Sequence, residues 1–144
     1  MQFARHVPFI QHLGLRLEAF GGGEATVVLD LRPEHHNSHQ MAHGGILLTL
    51  MDTCMANAGR AALRPNGGGA ELGMITVELK TSFMQPARGQ RIVARGKALH
   101  HTSSLCFCEG EIRDEHDHLI ARGSGTFRYV RAKPQAPVNA KEET

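Results

Sequence analysis

Residues 44–62, GGILLTLMDTCMANAGRAA, limit what this chain can become more than any other stretch. Ile46, Leu47, Leu50, Met51, Cys54, Met55 and Ala58 recur at helical spacing, and most residues between them are small. A surface helix carries one apolar stripe; this one is apolar nearly all round, so it has to be enclosed. The rest of the chain offers mainly strands to enclose it. Ahead of the helix, VPFIQHLG reads as a short helix closed by Gly14. LRLEAF and EATVVLDL then flank Gly21, Gly22 and Gly23 as a hairpin, with Val27, Leu29 and Leu31 on one face. Behind it, MITVELKTSF, RIVARGKALHH, SLCFCEGEIR and LIARGSGTFRYV are strand-like and joined by polar turns. In MITVELKTSF, Ile75, Val77 and Leu79 are expected to share one face. One long helix with an antiparallel meander is an α+β layout. The sheet must curve around the helix, which leaves its edges in search of a partner.

The chain has 144 residues, enough for one domain with one core, placed at residues 1–130. The polar, proline-bearing residues 131–144 are expected to be disordered. A net charge of +2 gives no basic field to hold nucleic acid. No apolar run approaches the ~20 residues of a membrane span, and the N-terminus lacks the apolar segment of a secretory signal. Cys54, Cys106 and Cys108 are an odd count without metal-ligand spacing, and read as reduced thiols in a cytoplasmic protein. The loop NGGGAELG, residues 66–73, lacks the Lys-Ser/Thr ending of a phosphate loop and reads as a linker.

Polar chemistry crowds the mouth of the helix in HHNSHQMAHGG, residues 35–45. The first N–H groups of a helix have no partner within it, and they carry partial positive charge. Gly44 and Gly45 there either let the chain turn or aim an N–H at a carbonyl oxygen that grows negative during attack. Asp52 stands two turns further in, within an otherwise oily segment. It is either a general base or nucleophile, or a structural acid bonded to a neighbour such as Thr49 or to a strand residue. Eight residues at ~1.5 Å each separate Gly44 from Asp52 by roughly 12 Å, too far for one acyl carbon to meet both. If both act on one substrate, they come from two chains of a two-fold dimer with antiparallel helices. His35, His36, His39 and His43 invite a metal, but no acid or cysteine joins them at ligand spacing, and none is expected.

The pattern N-x5-HGG-x6-D (Asn37, His43, Gly44, Gly45, Asp52), followed by MITVELKTSFMQPARGQ, resembles the hotdog-fold acyl-CoA thioesterases of the PaaI-like type. The likeness runs from about Leu13 to Tyr129. It implies a curved antiparallel sheet around a central helix, dimerising through the sheet edge and possible as a tetramer, with acyl-CoA as substrate and no cofactor. It also implies roles. Gly44 would polarise the thioester carbonyl, and Asp52 of the other subunit would be nucleophile or base. Thr76 would help hold water, and Asn37 and His43 would line the thioester. Gly45, Met51 and Met55 are expected beside the substrate. Thr102 and Ser103 stand where many relatives carry Gly-Arg or Gly-Lys, so contacts to CoA phosphates are expected from Arg88, Arg128 or Arg131. The alternative is a non-catalytic acyl-CoA-binding protein on the same scaffold, which would have no need of a carboxylate beside the thioester. A dehydratase would place its catalytic histidine in a proline-bearing motif that this chain lacks.

Overall fold

A computed structural model describes residues 1–63, 72–131 and 133. The elements run α1 (Pro8–Leu13), β1 (Arg16–Gly21), β2 (Glu24–Asp30), a 3-10 turn (Pro33–His35), α2 (Gly44–Leu63), β3 (Leu72–Phe83), β4 (Arg91–His101), β5 (Leu105–Asp114) and β6 (Leu119–Arg131). Residues 66–71 of the glycine-rich linker and nearly all of the tail lie outside the described residues, while Leu72 and Gly73 open β3. No described helix is long and apolar enough to cross a membrane.

The six strands form one antiparallel sheet in the order β1-β2-β4-β5-β6-β3. At ~4.8 Å per strand a flat sheet of this size would be roughly 24 Å wide, about twice the diameter of a helix. Yet α2 packs against all six strands, so the sheet curls around it, as in the hotdog fold. It does not close; β1 and β3 are left as edges. The hairpin between β1 and β2 turns on Gly22 (φ 59°) and Gly23 (φ 78°), the positive-φ pair a tight two-residue turn requires.

Close approach of helix to sheet depends on a row of residues with almost no side chain. Ala25, Gly96, Gly110 and Gly123 are cross-strand partners on β2, β4, β5 and β6. A Cβ at Gly96 would stand 3.1 Å from the Cys54 carbonyl oxygen, and one at Gly110 would stand 2.7 Å from Met51 Sδ. The middle of α2 therefore lies in a trough cut into the sheet. Met51 and Met55, expected beside the substrate, are fully buried against that trough.

One correction concerns β3. Its register against β6 shifts between Thr76 and Glu78, which places an extra residue, Val77, in a β-bulge. The simple alternation of Ile75, Val77 and Leu79 is broken. Leu72, Met74 and Leu79 turn toward the core, while Ile75 and Val77 are 53% and 60% exposed.

Candidate active site

The loop that leads into α2 is braced from behind. His35 is buried; its Nδ1 accepts the Arg32 N–H at 3.0 Å, which leaves Nε2 to donate to the Leu13 carbonyl oxygen at 2.8 Å. Asn37 folds the next turn on itself, its Oδ1 accepting the N–H groups of His39 (2.8 Å) and Met41 (3.2 Å). The Ala42 N–H donates to the Ala87 carbonyl (3.0 Å), and the His43 N–H donates to the His35 carbonyl (2.8 Å). So three of the four histidines that suggested a metal sit on a tightly bonded loop with separate tasks. Among the described residues no three His, Cys, Asp or Glu side chains converge as a ligand set.

At the helix mouth the N–H groups are allotted one by one. The His43 carbonyl accepts from Ile46 (2.9 Å) and Leu47 (3.3 Å). Its ring Nδ1 accepts the Gly45 N–H at 2.8 Å, so His43 caps its own helix. The Gly44 N–H has no acceptor among the described residues. Sterics separate the two glycines as well. A Cβ on Gly45 would stand 3.0 Å from His43 Nδ1, whereas one on Gly44 would touch only Phe83 Cζ, at 3.8 Å. Gly45 is thus small to admit the cap, and Gly44 keeps an open backbone face with a free donor.

Further along α2, Asp52 is half-buried on the face that the sheet leaves uncovered, in line with Gly45, Leu48 and Ala56. The alternative partner Thr49 donates instead to the Gly45 carbonyl (2.9 Å). Thr76 of β3 donates its hydroxyl to Asp52 Oδ1 at 2.6 Å, from the position just before the bulge. Burial pushes the Asp52 carboxyl above the ordinary carboxylate range, and the Thr76 hydrogen bond partly opposes that rise. No cation is bonded to Asp52 among the described residues, so its negative form is held by one hydroxyl. The pair lies beside the β3 edge, whose outer side is unpaired and carries the exposed Ile75 and Val77.

Other expected residues fall in different places. Arg88 is exposed beside Ala87, whose carbonyl is tied to the loop before Gly44, and so stands near the helix mouth. Arg128 is exposed on the outer face of the sheet, alternating with the inward Phe127 and Tyr129, and is turned away from Asp52 of its own chain. Arg131 ends β6 opposite Leu72. The thiols are inert by placement: burial pushes Cys54 up to about 12, and Cys106 and Cys108 face each other at 3.6 Å under α2 with almost no exposed surface. Asn57 and Arg60, a buried polar pair further along α2 in which Arg60 donates to Asn57 Oδ1 at 3.2 Å, were not singled out from the sequence, although a second charged residue eight positions after Asp52 is a visible signal.

Comparison with known proteins agrees with this arrangement. The family model of the thioesterase superfamily matches residues 39–121, which take in the helix mouth, Asp52 and Thr76. The Saccharolobus solfataricus protein SSO2140 is 30% identical over 114 residues, 79% of this chain and 77% of that one. YigI of Salmonella typhimurium, a medium/long-chain acyl-CoA thioesterase, is 23% identical over 135 residues, 87% of each chain. The Escherichia coli PaaI structure superposes with a TM-score of 0.76 at 21% identity, covering 87% of this chain and 86% of that one, and so shares its fold. With the matched region spanning the free amide, the carboxylate and its hydroxyl partner, the chain belongs to the thioesterase superfamily and is a thioester hydrolase.

Proposed function

We propose that the protein hydrolyses acyl-CoA thioesters in a site shared between two copies of the chain. The observation that carries this reading is the Asp52–Thr76 pair. A carboxylate with an elevated pKa, held by a single hydroxyl, sits on the open face of a helix beside an unpaired strand edge. The Gly44 amide of the same helix is roughly 12 Å away along its axis. Two copies with antiparallel α2 helices side by side and β3 edges joined would cover Leu48, Ile75 and Val77. They would also set each Asp52 near the partner subunit's Gly44. YigI, named for medium/long-chain acyl-CoA, supports CoA as the carrier. Arg88 at the helix mouth is the cation best placed for its phosphates.

In this mechanism Thr76 and Asp52 hold a water. Asp52 takes its proton as the water oxygen attacks the thioester carbonyl carbon. Negative charge moves to the carbonyl oxygen, where the partner subunit's Gly44 N–H stabilises it. The carbon–sulfur bond then breaks, and the thiolate, weakly basic with a pKa of about 8.5, leaves without strong acid help. The proton on Asp52 returns to solvent or to the thiolate. Asp52 acts here as a general base; its raised pKa suits proton transfer. Single-turnover hydrolysis in heavy-oxygen water, with acid quench and mass spectrometry of the protein, checks this: label in the freed acid together with no acylated protein supports it, whereas label in Asp52 or a covalent acyl-Asp52 reveals an anhydride. The wider test is thiol release from a panel of acyl-CoA esters by wild type and Asp52→Asn. Loss of about 100-fold or more in kcat is expected. Equal rates would remove Asp52 from the chemistry, and no release from any ester would favour a binding protein.

A further inference from the structure

The segment between β3 and β4, residues 84–90, brings Arg88 to the helix mouth and is fastened on both sides of it. On the near side the Met84 N–H donates to the Ile120 carbonyl at 2.8 Å, and the Gln85 side-chain amide donates to the Leu119 carbonyl at 2.8 Å. Ala87 is buried, and its carbonyl accepts the Ala42 N–H. On the far side the fastener is a side chain that the reaction does not use. The last rung between β4 and β5 pairs Ile92 with Asp114, where β5 ends. One residue further on, the Glu115 carboxylate meets β4 where a backbone carbonyl would otherwise continue the ladder. Its Oε2 accepts the N–H groups of Gln90 (2.8 Å) and Arg91 (2.7 Å), and its Oε1 also accepts from Gln90 at 3.1 Å. Gly89 makes room for it, since a Cβ there would overlap the carboxylate. The Gln90 carbonyl accepts the Leu31 N–H at 2.8 Å. That bond fixes Gln90 on its carbonyl side, and Glu115 holds it on its amide side. Arg88 and Gly89 alone separate the fixed Ala87 from the fixed Gln90. Two residues span at most about 7 Å, so the two ends determine where the Arg88 backbone lies.

We propose that Glu115 is a positioning residue for the carrier end of the substrate: through the Gln90 and Arg91 amides it sets the loop so that Arg88 meets the CoA phosphates. The inference rests on Arg88 as the phosphate cation of the proposed function. Charge and position act in opposite directions here. A carboxylate repels a phosphate, so loss of its charge alone would tighten CoA binding. Loss of position weakens binding, because a released loop has to be ordered again as Arg88 engages. Gln in place of Glu115 has no charge but keeps a carbonyl oxygen that can accept both amides. Position and charge are therefore separable at one residue.

The test is calorimetric binding of coenzyme A to the full-length protein, paired with thiol-release kinetics on acyl-CoA esters. Glu115→Ala should weaken coenzyme A about fivefold and raise KM to match. Its kcat should stay within about twofold of wild type, because Met84, Gln85 and Ala87 still hold the side that leads to Gly44. Glu115→Gln should bind coenzyme A within about twofold of wild type. In an Arg88→Ala background, Glu115→Ala should add less than about twofold, since the group it positions is gone. Gly89→Ala drives a methyl group into the carboxylate while leaving Glu115 in place. It should reproduce the loss, and it covers the case in which Glu115→Ala does not fold. Tighter binding in both Glu115 variants, or unchanged affinity in Glu115→Ala and Gly89→Ala, overturns the inference even if hydrolysis proceeds as proposed. So does a Glu115→Ala loss that persists in full without Arg88. A loss that Gln restores, with no hydrolysis by the parent chain, sustains the positioning role and sinks the catalytic reading instead.

Discussion

His43 gives the most informative single substitution. In His43→Ala the Gly45 N–H loses the ring nitrogen that accepts it at 2.8 Å. Removing a helix N-cap costs about 1 kcal/mol. For a chain of this size that corresponds to a fall in Tm of roughly 3 °C. The effect on rate comes from the neighbouring amide. With the cap gone, the turn that fixes the Gly44 N–H loosens, and about 1.4 kcal/mol of lost oxyanion stabilisation is tenfold in kcat. His43→Asn supplies a carbonyl oxygen in the position most favoured for N-caps. It should recover most of the Tm and a large part of the rate. Differential scanning calorimetry and thiol-release kinetics measure the two quantities on the same samples. If Ala and Asn variants melt at the wild-type temperature and lose activity alike, the ring only lines the site, and the capping argument is wrong.

The remaining predictions concern charge and packing. Asp52 has a raised folded pKa, so its contribution to stability is full below the unfolded carboxylate pKa of about 3.9 and is lost as pH rises through the folded value. Asp52→Asn should therefore melt above wild type at pH ~7, with the gap closing toward pH ~4; a lower Tm at neutral pH would contradict this. Thr76→Val removes the hydroxyl that holds the Asp52 pKa down, so the acid limb of kcat/KM should move to higher pH, with Thr76→Ser restoring it. An unmoved limb would show that Asp52 is not the titrating group. Gly110→Ala places a Cβ 2.7 Å from Met51 Sδ. Such overpacking costs ~1–3 kcal/mol, and urea denaturation should show that loss without a change in m-value.

The buried helix was legible because an all-round apolar pattern has few solutions, and its observed span, Gly44–Leu63, follows the periodicity closely. The order of elements and the turn at Gly22 and Gly23 were legible for the same local reasons. Three features were not. The bulge at Val77 is a register event between β3 and β6, and alternation within one strand carries no sign of it. The glycine trough is spread over three strands, so Gly96, Gly110 and Gly123 look like unrelated residues until pairing aligns them. The difference between Gly44 and Gly45 depends on which way the His43 ring turns, which spacing does not encode. The resemblance implied that Thr76 helps hold water but not that it bonds Asp52; the chain separates the two by 24 positions, and only the wrap of β3 beside α2 joins them.

The shared site can be measured directly by mixing chains. Gly44→Pro removes the free N–H while keeping a residue well suited to the first helical position. It should be inactive alone, as should Asp52→Asn. In a co-expressed heterodimer, purified by two different tags, the intact Asp52 of one chain faces the intact Gly44 of the other at one of the two sites. About half of the wild-type kcat per dimer is predicted. A heterodimer as inactive as its parents would place both groups in a single-chain site or in separate sites, and would contradict the account.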